Sequence, residues 1–375
     1  MIYKAFQDIQ LSRLGMGNMR LPSDNPSDPN AAINWEKAAE ILDYAMAHGI
    51  NYYDTAYIYN NGDSEKCVGA ALCKYPRDSY YLATKFYIEA NPDYEAVFEE
   101  QLERLCTDHI DFYLLHCLTD DNLEQYLNSG CISYFEEQQR KGRITYFGFS
   151  SHASPETLLK MAEYRKWDFA QIQMNYLDWE FSTAKEEYEI LTARHIPIMV
   201  MESVRGGKLA DLGEELNKKM KEKQPDWSIA SWALRWLKAK DGVQLMLSGM
   251  SSMEQIEDNV AVFETEDALN GEQIAFVEEM AHALKASLTV PCTACRYCCS
   301  ECPKGLDIPG MLKVYNEYKY GGWWNGSELD GIEEKKLPAE CIACGRCMKH
   351  CPQGISIPEY MKKLANLKEN GTEEI

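Results

Sequence analysis

Eight of the fourteen cysteines stand in two copies of one spacing, and this limits what the C-terminal part of the chain can be. The first copy is Cys292-x-x-Cys295-x-x-Cys298-x-x-x-Cys302-Pro303; the second is Cys341-x-x-Cys344-x-x-Cys347-x-x-x-Cys351-Pro352. Thiols two residues apart can turn toward a common centre from a tight loop. The fourth, beyond a longer gap and ahead of a proline, is carried away from it. Disulfides would need an oxidising compartment. The chain opens Met1-Ile2-Tyr3-Lys4 with no apolar leader, so a reducing cytoplasm is expected instead. Structural zinc is usually held by two separated Cys-x-x-Cys pairs, not by three cysteines in a row and a Cys-Pro.

The spacing resembles the bacterial ferredoxin run, in which the fourth cysteine ligates the other of two clusters. That resemblance implies two [4Fe–4S] clusters. Cys292, Cys295, Cys298 and Cys351 would hold one, and Cys341, Cys344, Cys347 and Cys302 the other. Cys299 is a spare. The second copy matches Cys298 to Cys347, so Cys299 is expected to pack near a cluster without ligating it.

The rest of the chain differs in charge. Lys and Arg number 38 against 59 Asp and Glu, a net −21, which argues against a nucleic-acid partner. From residue 286 onward there are 11 basic and 12 acidic residues, so residues 1–285 carry the remaining −20. Two domains are expected, 1–285 and 286–375. No stretch approaches a membrane span. Cys67, Cys73, Cys106, Cys117 and Cys131 have no ligand spacing and read as buried or neutral fillers.

After an expected N-terminal hairpin, short strand-like runs alternate with helical patterns. Strands are expected near residues 11–15, 51–54, 80–84, 111–115, 144–149, 169–174, 197–201 and 244–247. Helical spacing falls between them, and Ser154-Pro155-Glu156 reads as a helix start. Eight βα units point to a closed (β/α)8 barrel, an α/β fold. An open dinucleotide-binding sheet is disfavoured because Gly15-Met16-Gly17 lacks a third glycine. Barrel enzymes place reactive groups at the C-terminal strand ends. Asp54, Tyr59, Lys85 and His116 satisfy that rule on adjacent strands. A tyrosine is a weak acid at neutral pH, and a nearby Lys85 ammonium is expected to lower its pKa while Asp54 keeps the lysine charged. His116 would hydrogen-bond a substrate oxygen. Such a group protonates a carbonyl oxygen while hydride reaches carbon, or runs the reverse.

These residues carry a second resemblance. Gly49-Ile50-Asn51-Tyr52-Tyr53-Asp54-Thr55-Ala56-x-x-Tyr59, Ser64-Glu65-x-x-x-Gly69, Thr84-Lys85 and Leu115-His116 are similar to the aldo-keto reductase family. Lys141-Gly142-Arg143-Ile144-x-x-x-Gly148-x-Ser150, Gln171-Ile172-Gln173-x-Asn175 and Glu257-Asp258-Asn259 extend the match over about residues 1–265. It implies Tyr59 as general acid, Asp54 and Lys85 as its tuning pair, and His116 as carbonyl orienter. It also implies NAD(H) or NADP(H), with Ser150, Ser151 and Gln171 near the carboxamide and Gly249, Ser251, Gln255 and Asn259 near the adenosine end. The whole chain resembles a subgroup ending in a small, mainly helical two-cluster domain, with helices around 309–320 and 357–368 flanking the clusters.

The sequence departs from the family at three places. Ser151-His152 follows Ser150 where asparagine is usual. Met201-Glu202-Ser203 offers no ring to stack on nicotinamide. Gly249 and Gln255 carry no charge where a 2′-phosphate would be gripped, which leans toward NAD(H), although Arg205 and Lys208 lie in a loop that can reach phosphates. The expected activity is nicotinamide-dependent interconversion of a small-molecule carbonyl and alcohol. The alternatives are an electron-transfer enzyme coupling the clusters to the barrel site through a flavin, and a binding or regulatory subunit without turnover; a redox partner protein is a further expected partner.

Overall fold

The computed structural model describes residues 1–25, 32–292, 294–321, 324, 329 and 331–373. It divides into two compact units, Met1–Glu278 and Glu279–Ile375, the division falling inside the helix Gly271–Leu288.

In the first unit an antiparallel hairpin, β1 (Tyr3–Phe6) and β2 (Ile9–Ser12), precedes eight parallel strands. They are β3 (Leu14–Gly17), β4 (Tyr52–Asp54), β5 (Tyr81–Phe86), β6 (Ile110–Leu118), β7 (Ile144–Ser151), β8 (Phe169–Gln173), β9 (Ile198–Met201) and β10 (Val243–Ser248). They close into a barrel in chain order, with β10 pairing β3. All eight expected strands are present. The first expected run, 11–15, straddles two of them: Leu11 belongs to the hairpin and only Leu14 and Gly15 to the barrel, because the chain turns between Ser12 and Leu14. Ser154 caps the helix Pro155–Tyr164 as its sequence predicts, its Oγ accepting from Thr157 N at 3.4 Å.

The hairpin closes the N-terminal end of the barrel. Phe6 and Leu11 pack with Tyr52, Phe112, Tyr146 and Phe169, which sit near the starts of their strands. The Phe6 ring meets Tyr146 edge-on at 5.0 Å and Phe112 at 5.4 Å. With that end filled, the C-terminal ends are the ones left for polar groups.

The second unit is mainly helical and repeats itself. Each residue of the first cysteine run has a counterpart 49 positions later, as 292 has 341. The left-handed residues follow the same offset: Ala294 and Ala343, Arg296 and Gly345, Gly305 and Gly354. These bends tighten each loop; Cys298 and Cys347 end up buried, Cys295 and Cys344 exposed. The helices Ile308–Gly321 and Ile357–Asn370 pack through Ile308, Met311, Leu312, Ile357, Met361 and Leu364. The helix Ile308–Gly321 also clamps the start of the first run, because Asn316 exchanges two hydrogen bonds, 2.6 and 2.9 Å, with the Val290 backbone.

Candidate active site and candidate cluster centres

Asp54 is the last residue of β4 and Lys85 lies one residue inside the end of β5, so parallel pairing brings both to the same rim of the barrel. Lys85 is fully buried; its Nζ donates to Asp54 Oδ2 and to Thr55 O, both at 2.6 Å. Burial pushes the Asp54 carboxyl up and the Lys85 ammonium down, and their mutual contact opposes both shifts. Tyr59 follows β4 in a tight turn whose next residues, Asn60 and Asn61, have φ of 49° and 55°. These left-handed residues fold the turn back over the strand ends. The Tyr59 ring lies 5.0 Å from Lys85 Nζ and meets the His116 ring edge-on at 5.7 Å.

One electrostatic expectation needs correcting. The Tyr59 hydroxyl is raised well above its ordinary value, not lowered: burial dominates, with Asp54, Cys117 and Glu202 adding to it. Lys85 is neutralised by Asp54, so little of its field is left to favour phenolate. Tyr59 therefore holds its proton until a stronger base forms beside it. His116 is pushed well below its ordinary value by burial, then by Lys85 and His152, and stands neutral at pH 7.

The rim is held from behind by a buried network. Glu65, fully buried, accepts from Thr84 Oγ1 at 2.5 Å, Gln101 Nε2 at 2.8 Å and Arg104 Nη1 at 3.0 Å. Gln101 Nε2 also donates to Lys85 O at 3.0 Å, which fixes the end of β5. Gly69 completes the packing: a Cβ there would stand 2.5 Å from Arg104 O. Ser64 Oγ donates to Asn18 O at 2.8 Å. The Ser64-Glu65-x-x-x-Gly69 motif is thus structural, joining the helix Asp63–Leu72 to Tyr94–Arg104.

Around the rim, Ser150 pairs in register with Gln171 across β7 and β8, and both are buried. Ser150 Oγ accepts from Cys117 N at 2.8 Å, and Ser151 Oγ from Ala153 N at 3.2 Å. Gln171 Oε1, Asp54 Oδ1 and His116 Nδ1 are buried without a hydrogen-bond partner among the described residues. Such atoms are costly to leave unmatched and suit a ligand with complementary groups. A carboxamide offering N–H to Gln171 and a carbonyl near His116 would suit them, so this rim fits a nicotinamide and a carbonyl substrate. Ser251, Gln255 and Gly249 gather separately. Ser251 N donates to Gln255 Oε1 at 2.7 Å, and Gly249 lies beside Arg20. Asn259 faces inward, donating to Ser248 Oγ at 2.9 Å. Glu202 directly follows β9, with φ 57°.

Sequence reasoning missed two neighbours of the site. Tyr87, just past β5, meets His116 edge-on at 5.5 Å, and the strand-end rule that found Lys85 would have found it. Arg20 joins two loops distant in sequence, its Nη1 donating to Gly206 O at 3.3 Å and its carbonyl accepting from Ser251 Oγ at 2.6 Å; no local signal marks it. The five barrel cysteines, expected as buried or neutral fillers, divide. Cys67 and Cys131 are buried, their thiols pushed up to about 11 by burial, whereas Cys73 and Cys106 are exposed and Cys117 lies partly open beside His116.

In the second unit, one cavity of about 350 Å³, open solvent included, is lined by Cys302, Cys341, Cys344 and Cys347. Another of about 300 Å³ is lined by Cys292, Cys295, Cys298 and Cys351. Each takes three thiols from one run and the fourth from the other. Among the described residues no three ligand side chains converge on a point suited to a single ion. Four thiols spread around an apolar void suit a polynuclear cluster better than one zinc. Cys299 lines neither cavity and packs on the adjoining core.

The family model for the Aldo/keto reductase family matches residues 13–282, and that for a 4Fe-4S dicluster domain matches residues 291–357. The uncharacterized oxidoreductase YqkF of Bacillus subtilis is 30% identical over 285 residues, spanning 68% of this chain and 87% of its own. The NADH-specific methylglyoxal reductase of Escherichia coli is 24% identical, spanning 74% and 97%. The solved holo form of aldo-keto reductase AKR11C1 from Bacillus halodurans superposes with a TM-score of 0.61 at 28% identity, covering 76% of this chain and 96% of that one.

Proposed function

The chain belongs to the aldo/keto reductase family and ends in a 4Fe-4S domain, and from that premise we propose that its barrel reduces the carbonyl group of a small molecule with a nicotinamide cofactor, Tyr59 serving as the acid. The observation that carries the reading is the buried Lys85, fixed by Asp54 and Thr55 at 2.6 Å, with the Tyr59 ring 5.0 Å away.

A bound nicotinamide supplies the hydride. Ser150, Ser151 and Gln171 would hold its carboxamide end, and Gly249, Ser251, Gln255 and Asn259 its adenosine end. His116, neutral, orients the substrate oxygen by hydrogen bond. As negative charge grows on that oxygen it becomes a stronger base than the Tyr59 phenolate, and the hydroxyl proton crosses to it. Lys85, paired with Asp54, stands 5.0 Å from the ring and holds it in place against His116 while the proton leaves. The raised pKa of Tyr59 keeps its hydroxyl protonated at neutral pH, the form in which it can serve as the acid.

Gly249 and Gln255 favour NAD(H), and the E. coli relative is NADH-specific by name. Arg20, beside Gly249, is the cation able to alter that preference. The two cysteine cavities would hold [4Fe–4S] clusters, which a reducing, cytoplasmic compartment would suit. Among the described residues no helix is long and apolar enough to cross a membrane. The test is consumption of NADH and NADPH with a panel of aldehydes and ketones. Turnover that prefers NADH is expected; a folded protein that binds neither cofactor contradicts the reading.

A further inference from the structure

Of the eight large hydrophobic side chains that are exposed among the described residues, three lie inside the cysteine runs: Tyr297 at 62% exposure, Ile342 at 58% and Met348 at 42%. Folding does not require this placement. The core of the second unit is built from other side chains, and loops that only hold a cluster gain nothing from apolar tips in water. The same segments bring one thiol of each set to the surface. Cys295 and Cys344 are exposed, while Cys298 and Cys347 are buried. The short helices Tyr297–Ser300 and Arg346–Lys349 pack against each other, so the two runs present their tips together.

Charge narrows the kind of partner. Arg296 is paired with Asp307 at 2.9 Å, Lys304 with Glu340 at 2.7 Å, and His350 faces Glu301 at 3.8 Å. Arg346 and Lys349 are exposed and lie within 4 Å of no carboxylate of the described residues. The first 285 residues carry −20, so an acidic protein is repelled by most of this chain. Two unpaired cations beside apolar tips and two surface thiols are where it can land.

We propose that Tyr297, Ile342 and Met348, with Arg346 and Lys349, form the docking face for an acidic one-electron carrier protein that exchanges electrons with the clusters through the edges marked by Cys295 and Cys344. The apolar tips supply the contact and the cations orient it. Each encounter moves one electron from the carrier to one cluster, with no bond made or broken and no proton taken from this chain. The inference stands apart from carbonyl reduction in the barrel, and either can fail without the other.

The test mixes anaerobic, iron-loaded full-length protein with photoreduced flavodoxin, an acidic one-electron carrier, and follows bleaching of the cluster absorbance. Three proteins are compared: wild type, Tyr297→Ser with Ile342→Ser, and Arg346→Glu with Lys349→Glu. Each variant is expected to lower the second-order rate by about 10-fold or more. Reduction of the same proteins by dithionite, which needs no docking, is expected to be unchanged. Equal rates with flavodoxin for all three proteins overturn the proposal. So does an equal loss with dithionite, which would make these side chains a shield for the clusters, and so does a chain that binds no iron. Should one double variant lose its clusters, the other still decides, because the two change different side chains.

Discussion

Glu187 is a buried carboxyl that takes no part in the proposed chemistry, and it sets a pH dependence of its own. It sits in the first turn of the helix Ala184–Ala193, 7% exposed, accepting from Thr183 Oγ1 at 2.6 Å. Burial raises it to about 7 from 4.5, with Asp178 and Glu186 adding to the shift. A carboxyl raised on folding binds its proton more tightly in the folded state. Stability is therefore lost as pH climbs from 4.5 to about 7 and stays lower above that. Glu187→Gln keeps an acceptor for Thr183 and removes the charge. It is expected to stabilise the barrel by about 1–3 kcal/mol above pH 7 and to do little below pH 4.5. Melting temperatures of both proteins across that range check this; an equal difference at all pH values contradicts it.

At the scale of elements, the strands and the Asp54–Lys85 pair were legible because both follow from local pattern: apolar runs give the strands, and parallel pairing forces their ends to one rim. Tyr59 was legible from its distance after β4, but the direction of its pKa was not. That direction depends on how much protein covers the hydroxyl, which no spacing records. The Glu65–Arg104 pair, 39 residues apart, and the Arg20–Gly206 contact, 186 apart, are made by tertiary packing alone. Gly69 shows what such packing demands. In an exposed helix, alanine for glycine gains about 1 kcal/mol. Here the added methyl would stand 2.5 Å from Arg104 O and 2.7 Å from Leu105 Cα, both backbone. Gly69→Ala is expected to destabilise the barrel by about 1–3 kcal/mol as the helix Asp63–Leu72 is pushed off its neighbour. Thermal or urea unfolding decides, and a stabilised variant would show that the two helices separate freely.

For the whole molecule, the paired runs and the two cavities predict about eight iron and eight acid-labile sulfide per chain. Because each cavity borrows one thiol from the opposite run, Cys302→Ser should damage the centre of Cys341, Cys344 and Cys347, and Cys351→Ser that of Cys292, Cys295 and Cys298. Cys299→Ser should leave both. Distinct spectroscopic signatures of the two centres report which is lost, and damage confined to each substitution's own run would refute the crossed arrangement. The central claim concerns the acid proposed for the barrel, Tyr59. It is tested most directly by Tyr59→Phe, which deletes one transferable proton and leaves the ring between Lys85 and His116. Carbonyl reduction is predicted to fall by about 10²–10⁴-fold with the Kd for NADH nearly unchanged. A folded Tyr59→Phe protein that turns over at the wild-type rate would contradict the account.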